Sequence, residues 1–157
     1  MAFTAGTNLM INTAFAWEST AGHVWVPEWR VPLVAGPSVI GGTLSMLVVL
    51  PLTTSMICTL GIRSYQRGGL RVLRADALPP AVRSLMVGPV RRGLRLAAGS
   101  VAAFGPVTIL AGSTLLGHGV SRSAYVASQA IAGVLLGAMV TPVAAMAAMA
   151  EPAGASG

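Results

Sequence analysis

His23 and His118 are the side chains of this 157-residue chain best suited to proton transfer or metal binding, and Glu18 and Glu28 lie close to the first of them in sequence. Together these four could supply nitrogen and oxygen ligands to a metal or relay a proton. Their spacing argues otherwise: HxxH, HxxxH and ExxH are all absent, whereas zinc-type sites gather three or four clustered ligands. Two histidines that cap helix ends or bond to water are the plainer reading. Asn8 and Asn12 are one helical turn apart and share a face. Their amides are costly against lipid, so they should face a bundle interior or water, either as hydrogen-bonding glue between helices or as the lining of a polar path. Cys58 is the sole cysteine, so no disulfide forms within one chain. No nucleotide-binding loop, serine elbow or metalloprotease motif occurs, and the residues nominate no catalytic, cofactor-binding or metal site.

The elements that must position these residues are set by charge and hydropathy. With 54% hydrophobic and 9% charged residues, and a mean hydropathy of +0.75, the chain lies far from the roughly 25% charged composition of soluble domains. Eight of its ten basic residues, all Arg, fall between Arg63 and Arg95, while Val31–Ile62, Leu96–Ser121 and Ser123–Ala150 carry no Asp, Glu, Lys or Arg. About 20 apolar residues cross a bilayer core as helix. The reading is an all-α polytopic membrane protein, a single membrane domain of four transmembrane helices in two hairpins. The expected spans are about 1–17, 37–62, 96–117 and 125–149, with an Arg-rich cytoplasmic loop over 63–95.

The net charge of +6 sits on one loop rather than over a soluble surface, which points to topogenic and lipid-binding charge and excludes nucleic acid as the expected partner. The Arg excess marks the cytoplasmic side, so both termini are expected inside, in the plasma membrane of a bacterium. Trp17 at its edge and Trp25 and Trp29 within it mark the outer loop Glu18–Arg30, at headgroup level. Residues 1–17 read as a retained helix, short for a span, whose start at Met1 is suspect; the Ala14-Phe15-Ala16 cleavage pattern of a signal peptide lacks a basic residue before it.

Finer expectations follow. Pro32 and Pro37 delay the start of the second span, and Pro51, Pro106 and Pro142 kink theirs. Arg63, Arg67, Arg71 and Arg74 share a face if that span continues as helix. A short amphipathic piece, Ala81–Arg92, would then lay Val82, Leu85, Met86 and Val90 on lipid. Gly133 and Gly137 form a GxxxG step and Gly99 and Ala103 a small-xxx-small step, faces for close packing within the bundle or in a dimer. Setting Pro51 against Pro142 aligns Gly42-Thr43-Leu44 with Gly133-Val134-Leu135, a possible parallel repeat of two helical hairpins. None of the four expected spans contains an ionisable Asp, Glu, Lys or Arg, which argues against a pump or proton-coupled carrier.

The pattern Asn8-x3-Asn12-x3-Ala16-Trp17, with VPLVAG at Val31–Gly36, VLPL at Val49–Leu52, Arg67-Gly68 and MVTPVAAMAAMAE at Met139–Glu151, resembles a group of small bacterial four-helix integral membrane proteins. The chain departs from that group at Val34-Ala35, where a bulky Trp is expected, and near Gly41-Gly42, where an acidic residue is. The resemblance implies the fold and no activity. Three functions stay open: a non-enzymatic accessory or scaffold component that binds anionic lipid headgroups and either another membrane protein or copies of itself; a small permease or channel subunit; and an intramembrane enzyme using His23, His118 and Glu18.

Overall fold

A computed structural model describes residues 2–29, 37–69, 71–115 and 119–151. The chain is mostly helical: α1 (Ala2–Ser19), α2 (Val39–Arg67), the single turn α3 (Pro80–Arg83), α4 (Pro89–Leu115) and α5 (Arg122–Ala150). Three of these, α2, α4 and α5, are long and apolar enough to cross a membrane. The 18 residues of α1 reach only about 27 Å at 1.5 Å per residue.

Local chemistry sets the ends. Ser38 is extended and its Oγ accepts from Gly41 N at 3.2 Å, so α2 starts at Val39 rather than at Pro37. It continues five residues past the expected Ile62 to Arg67, where Gly68 and the left-handed Gly69 (φ 97°) end it. Pro89 is the first residue of α4, where its missing N–H costs nothing, so this helix begins seven residues before the expected Leu96. Pro51, Pro106 and Pro142 lie inside α2, α4 and α5, and each helix continues through its proline.

The central segment is therefore shorter and more structured than the sequence suggests. Arg63 and Arg67 ride on α2, Arg91, Arg92 and Arg95 on α4, and Arg71 and Arg74 lie off any helix, so a four-residue arginine face does not form. The amphipathic piece expected over Ala81–Arg92 is also corrected. Helix there is broken into the turn Pro80–Arg83 and the start of α4 at Pro89, and Leu78 and Val82 pack against Ala147 and Ala150 at the end of α5, with Leu85 and Met86 beside them. Val90 alone of the four apolar side chains is exposed. Burying these residues on α5 removes the apolar face that would have rested on lipid.

Packing orders the helices α1–α5–α2–α4. The expected pairing within each half is not what holds the bundle: α4 meets α5 only slightly, and α1 lies along α5 instead of α2. Glycines set the close approaches. A Cβ on Gly93 of α4 would stand 2.9 Å from Leu52 Cα of α2, and one on Gly133 of α5 would stand 2.7 Å from Asn12 Nδ2 of α1. The GxxxG step is thus spent inside the chain. Met46, Leu47, Leu50, Leu136 and Val140 form the apolar centre between α2 and α5.

A feature absent from the sequence reading closes the tryptophan end. Trp25–Val26 (β1) pairs antiparallel with Val120–Ser121 (β2), Trp25 opposite Ser121 and Val26 opposite Val120. Gly119 enters this pair at φ +101°, and any Cβ there would collide with Val26 O.

Candidate functional site

The most unusual side chain of the molecule is Arg92, on the first turn of α4, with no exposed surface at all. A buried guanidinium must be matched by charge and hydrogen bonds or it is prohibitively costly. Helix α2, the end of α5 and the central segment supply the match. Nη2 lies 2.5 Å from Glu151 Oε1, an ion pair by distance whose angle misses hydrogen-bond geometry. Nε donates to Leu85 O at 3.0 Å and Nη1 to Thr59 Oγ1 at 3.0 Å. Thr59 in turn donates to Ser55 O (2.7 Å), and Ser55 Oγ to Pro89 O (2.8 Å), which stitches α2 to the first turn of α4.

Glu151 caps this arrangement. Its side chain is 11% exposed, and Oε1 also accepts from Gly88 N at 3.1 Å, just before α4 begins. Gly88 reaches that orientation at φ +83°. The carboxylate therefore sits at the positive end of a 27-residue helix as well as beside a cation, both favourable. Gln66 Nε2 donates to Met149 O (3.4 Å) and Glu151 O (3.2 Å), and Leu73 N to Met149 O (2.9 Å). The end of α5 is held by α2, α4 and the segment between them.

At the opposite end Arg122, the first residue of α5, does related work in a more open setting. Its guanidinium lies 3.9 Å from the Trp17 ring centroid, Nη2 donates to Trp17 O at 2.9 Å, and Nε to Thr20 Oγ1 at 3.2 Å. Thr20 itself donates to Ala16 O at 2.7 Å. A cation thus meets the carbonyl end of α1, where the helix dipole favours it.

A third polar locus lies within the bundle. Between α1 and α2, with α5 as its floor, runs a cleft of about 230 Å³ that Asn12, Tyr125 and Gln129 line. Gln129 is buried and donates to Thr43 Oγ1 at 2.8 Å, and Tyr125 presses against Gly42. A second, apolar groove of about 460 Å³ opens between α4 and α5 beside Phe104 and Met139.

The residues singled out from sequence fare unevenly. Asn12 is where helical spacing put it, against a neighbouring helix; the Asn8 side chain lies outside the described residues. His118 also lies outside them. His23 is exposed with Nδ1 3.2 Å from Ala21 O, and among the described residues no three His, Cys, Asp or Glu side chains gather. Trp17, Trp25 and Trp29 are all exposed at one end. The expected spans themselves carry no Asp, Glu, Lys or Arg, but the helices run past them: α2 takes in Arg63 and Arg67, α4 takes in Arg91, Arg92 and Arg95, and α5 begins with Arg122. Gln129 went unremarked, although it is the one amide in the uncharged run 123–150.

Comparison of the chain with protein families, with curated proteins and with solved structures found no match.

Proposed function

We propose that this chain is a non-enzymatic accessory or scaffold component of a bacterial plasma membrane, with α1 as a fourth, short span and both termini cytoplasmic. The observation that carries the reading is an arginine collar that far outnumbers its internal counter-charges. The chain has four acidic residues, Glu18, Glu28, Asp76 and Glu151. At the arginine-rich end Asp76 pairs with Arg74 and Glu151 with Arg92. Arg63, Arg67, Arg71, Arg83, Arg91 and Arg95 have no carboxylate partner among the described residues. Anionic lipid headgroups match such a collar at about 1 kcal/mol per Arg near the surface, and the same charges favour retention on the cytoplasmic side.

Two contacts made by these arginines and one backbone bond between them in sequence keep the collar close to the bundle instead of letting it trail. Arg83 donates to Leu78 O at 3.2 Å, Arg95 bonds to Ser84 O, and Leu73 N reaches α5. A basic platform held against a small bundle suits a subunit that positions a larger membrane protein. Affinity purification from native membranes through a C-terminal tag tests this. A stoichiometric second membrane protein is expected; recovery of this chain alone, as a defined oligomer, would count against the reading.

A small permease or channel subunit is the second reading, favoured by the polar residues of the α1–α2 cleft. A path through the chain would have to pass Met46, Leu47, Leu50, Leu136 and Val140, which pack into one apolar cluster. Flux unchanged by Asn12→Leu together with Gln129→Leu would eliminate it. For the enzyme reading on His23, His118 and Glu18, His118 lies outside the described residues, and His23 is exposed beside Ala21 O.

A further inference from the structure

The arginines of the collar stand in two tiers. Val39 opens α2 at the tryptophan end, where its N–H bonds to Pro27 O, between Trp25 and Trp29. Leu52 lies about 20 Å farther along α2, and Arg63 about 16 Å beyond Leu52, at 1.5 Å per residue. The close approach of Gly93 to Leu52 sets Arg91 and Arg95, which flank Gly93 on α4, at the level of Leu52. A hydrocarbon core is about 30 Å thick. With the tryptophan end at one surface, the α4 pair leaves its helix about 10 Å short of the other, while Arg63 and Arg67 clear it. Arg91 and Arg95 are exposed, and they share one face of α4 with Leu94, Ala98, Ala102 and Ile109, also exposed. Arg91 meets no acceptor among the described residues, and Arg95 reaches only Ser84 O, in the segment before α4. The two carboxylates of this end are already taken, Asp76 by Arg74 and Glu151 by Arg92.

These facts narrow what covers the face. An arginine rooted in hydrocarbon stretches toward the headgroups and needs an anion or water at its tip. A second copy packed symmetrically on this face would set the same arginines against each other at the same depth, which like charge opposes. A free anion would leave the apolar side chains of the face uncovered. A phospholipid of net negative charge matches both parts. Its phosphate oxygens accept from two guanidiniums one helical turn apart, and the apolar face continues from Leu94 to Ile109 toward the bilayer centre, as an acyl chain does. We propose that Arg91 and Arg95 seat one anionic phospholipid on α4, its phosphate between the two guanidiniums and an acyl chain along Leu94, Ala98, Ala102 and Ile109. The lower tier thus holds a single lipid, whereas Arg63 and Arg67 attract headgroups in general.

The seat rests on the bilayer placement and the lipid-binding collar proposed above, and deepens them. Its test is native mass spectrometry of the full chain released from detergent micelles, titrated with dioleoylphosphatidylglycerol or dioleoylphosphatidylcholine. The first phosphatidylglycerol is expected to bind about thirtyfold tighter than the first phosphatidylcholine, two arginines' share of headgroup attraction. Arg91→Gln together with Arg95→Gln should erase that preference. Arg63→Gln together with Arg67→Gln removes the same charge at more than a Debye length, about 8 Å in physiological salt. That pair should leave the first step within about twofold of wild type. Ala98→Trp keeps every charge but fills the path of the acyl chain, and should weaken the first phosphatidylglycerol severalfold through lost close packing. A preference that survives Arg91→Gln with Arg95→Gln, or equal losses from the two glutamine pairs, would overturn the seat and leave the collar standing. A first step indifferent to Ala98→Trp would do the same, since diffuse attraction ignores shape. No preference for phosphatidylglycerol in the wild-type chain would overturn the seat and the lipid-binding collar together.

Discussion

Each end of the bundle is fastened by an arginine, and the two fastenings differ in what surrounds the charge. Arg92 is sealed among α2, α4 and α5, with Glu151 as its counter-charge. Arg122 lies across the end of α1, where an aromatic face, a carbonyl and a hydroxyl share its charge and, among the described residues, no carboxylate pairs with it. The first arrangement has no solvent to fall back on, so every missing partner is felt in full. The second keeps access to water, which replaces whatever is removed. Burial, more than the number of bonds, should decide which end fails first.

The largest effect should therefore come from the buried pair. Glu151→Gln leaves the guanidinium of Arg92 sealed without a counter-charge and should cost about 3–5 kcal/mol, the usual penalty for orphaning one member of a buried pair. Thermal unfolding in mild detergent would register it. Replacing both members, Arg92→Met with Glu151→Leu, should restore most of the loss, since two apolar groups have no charge to desolvate. A double variant as unstable as Glu151→Gln would show that the pair does more than cancel its own burial cost, and the comparison between the ends would need another basis.

At the other end, Arg122→Ala should cost about 1–2 kcal/mol, from an exposed cation–π contact and a charge-assisted bond to a helix terminus. The same detergent unfolding would read it, with added salt weakening the wild-type advantage. Arg122→Lys should recover only part, because a point charge cannot cover the Trp17 ring and bridge Trp17 O and Thr20 Oγ1 together. A loss as large as that of Glu151→Gln would mean that exposure is a poor guide to these two sites.

How much of this was readable beforehand depends on the kind of interaction. The long apolar helices follow from uncharged runs, and the exposed tryptophans from their amphipathic rings. Arg92 was hidden because counting arginines treats them alike. Its burial depends on Pro89 starting α4 early, which brings Arg92 into the helix about two turns before the buried Ser100. The hint was Glu151, a lone carboxylate at the end of an apolar run in a chain with few acids. The β1–β2 contact left no trace, since two-residue strands have no period to detect. Helix order was equally invisible, because α1 chooses α5 through the fit of Asn12 on Gly133, a contact across most of the chain.

The smallest effect belongs to a third arginine pair, which sharpens the contrast. Arg74 and Asp76 meet twice, Nη2 to Oδ2 at 2.8 Å and Nε to Oδ1 at 3.2 Å, in better geometry than the buried pair. Both side chains stand in solvent, at 84% and 66% exposure. The Arg74 guanidinium, aided by backbone N–H groups, holds the Asp76 carboxyl below its ordinary value. Its contribution is present above the unfolded-state value of about 3.9 and is lost as pH falls through the lowered folded-state value. Near neutral pH the pair is fully formed, yet Asp76→Asn should leave unfolding unchanged within error, because solvent screens what the geometry offers. Measured beside Glu151→Gln, it separates bond geometry from burial: the pair with the better angles should matter least.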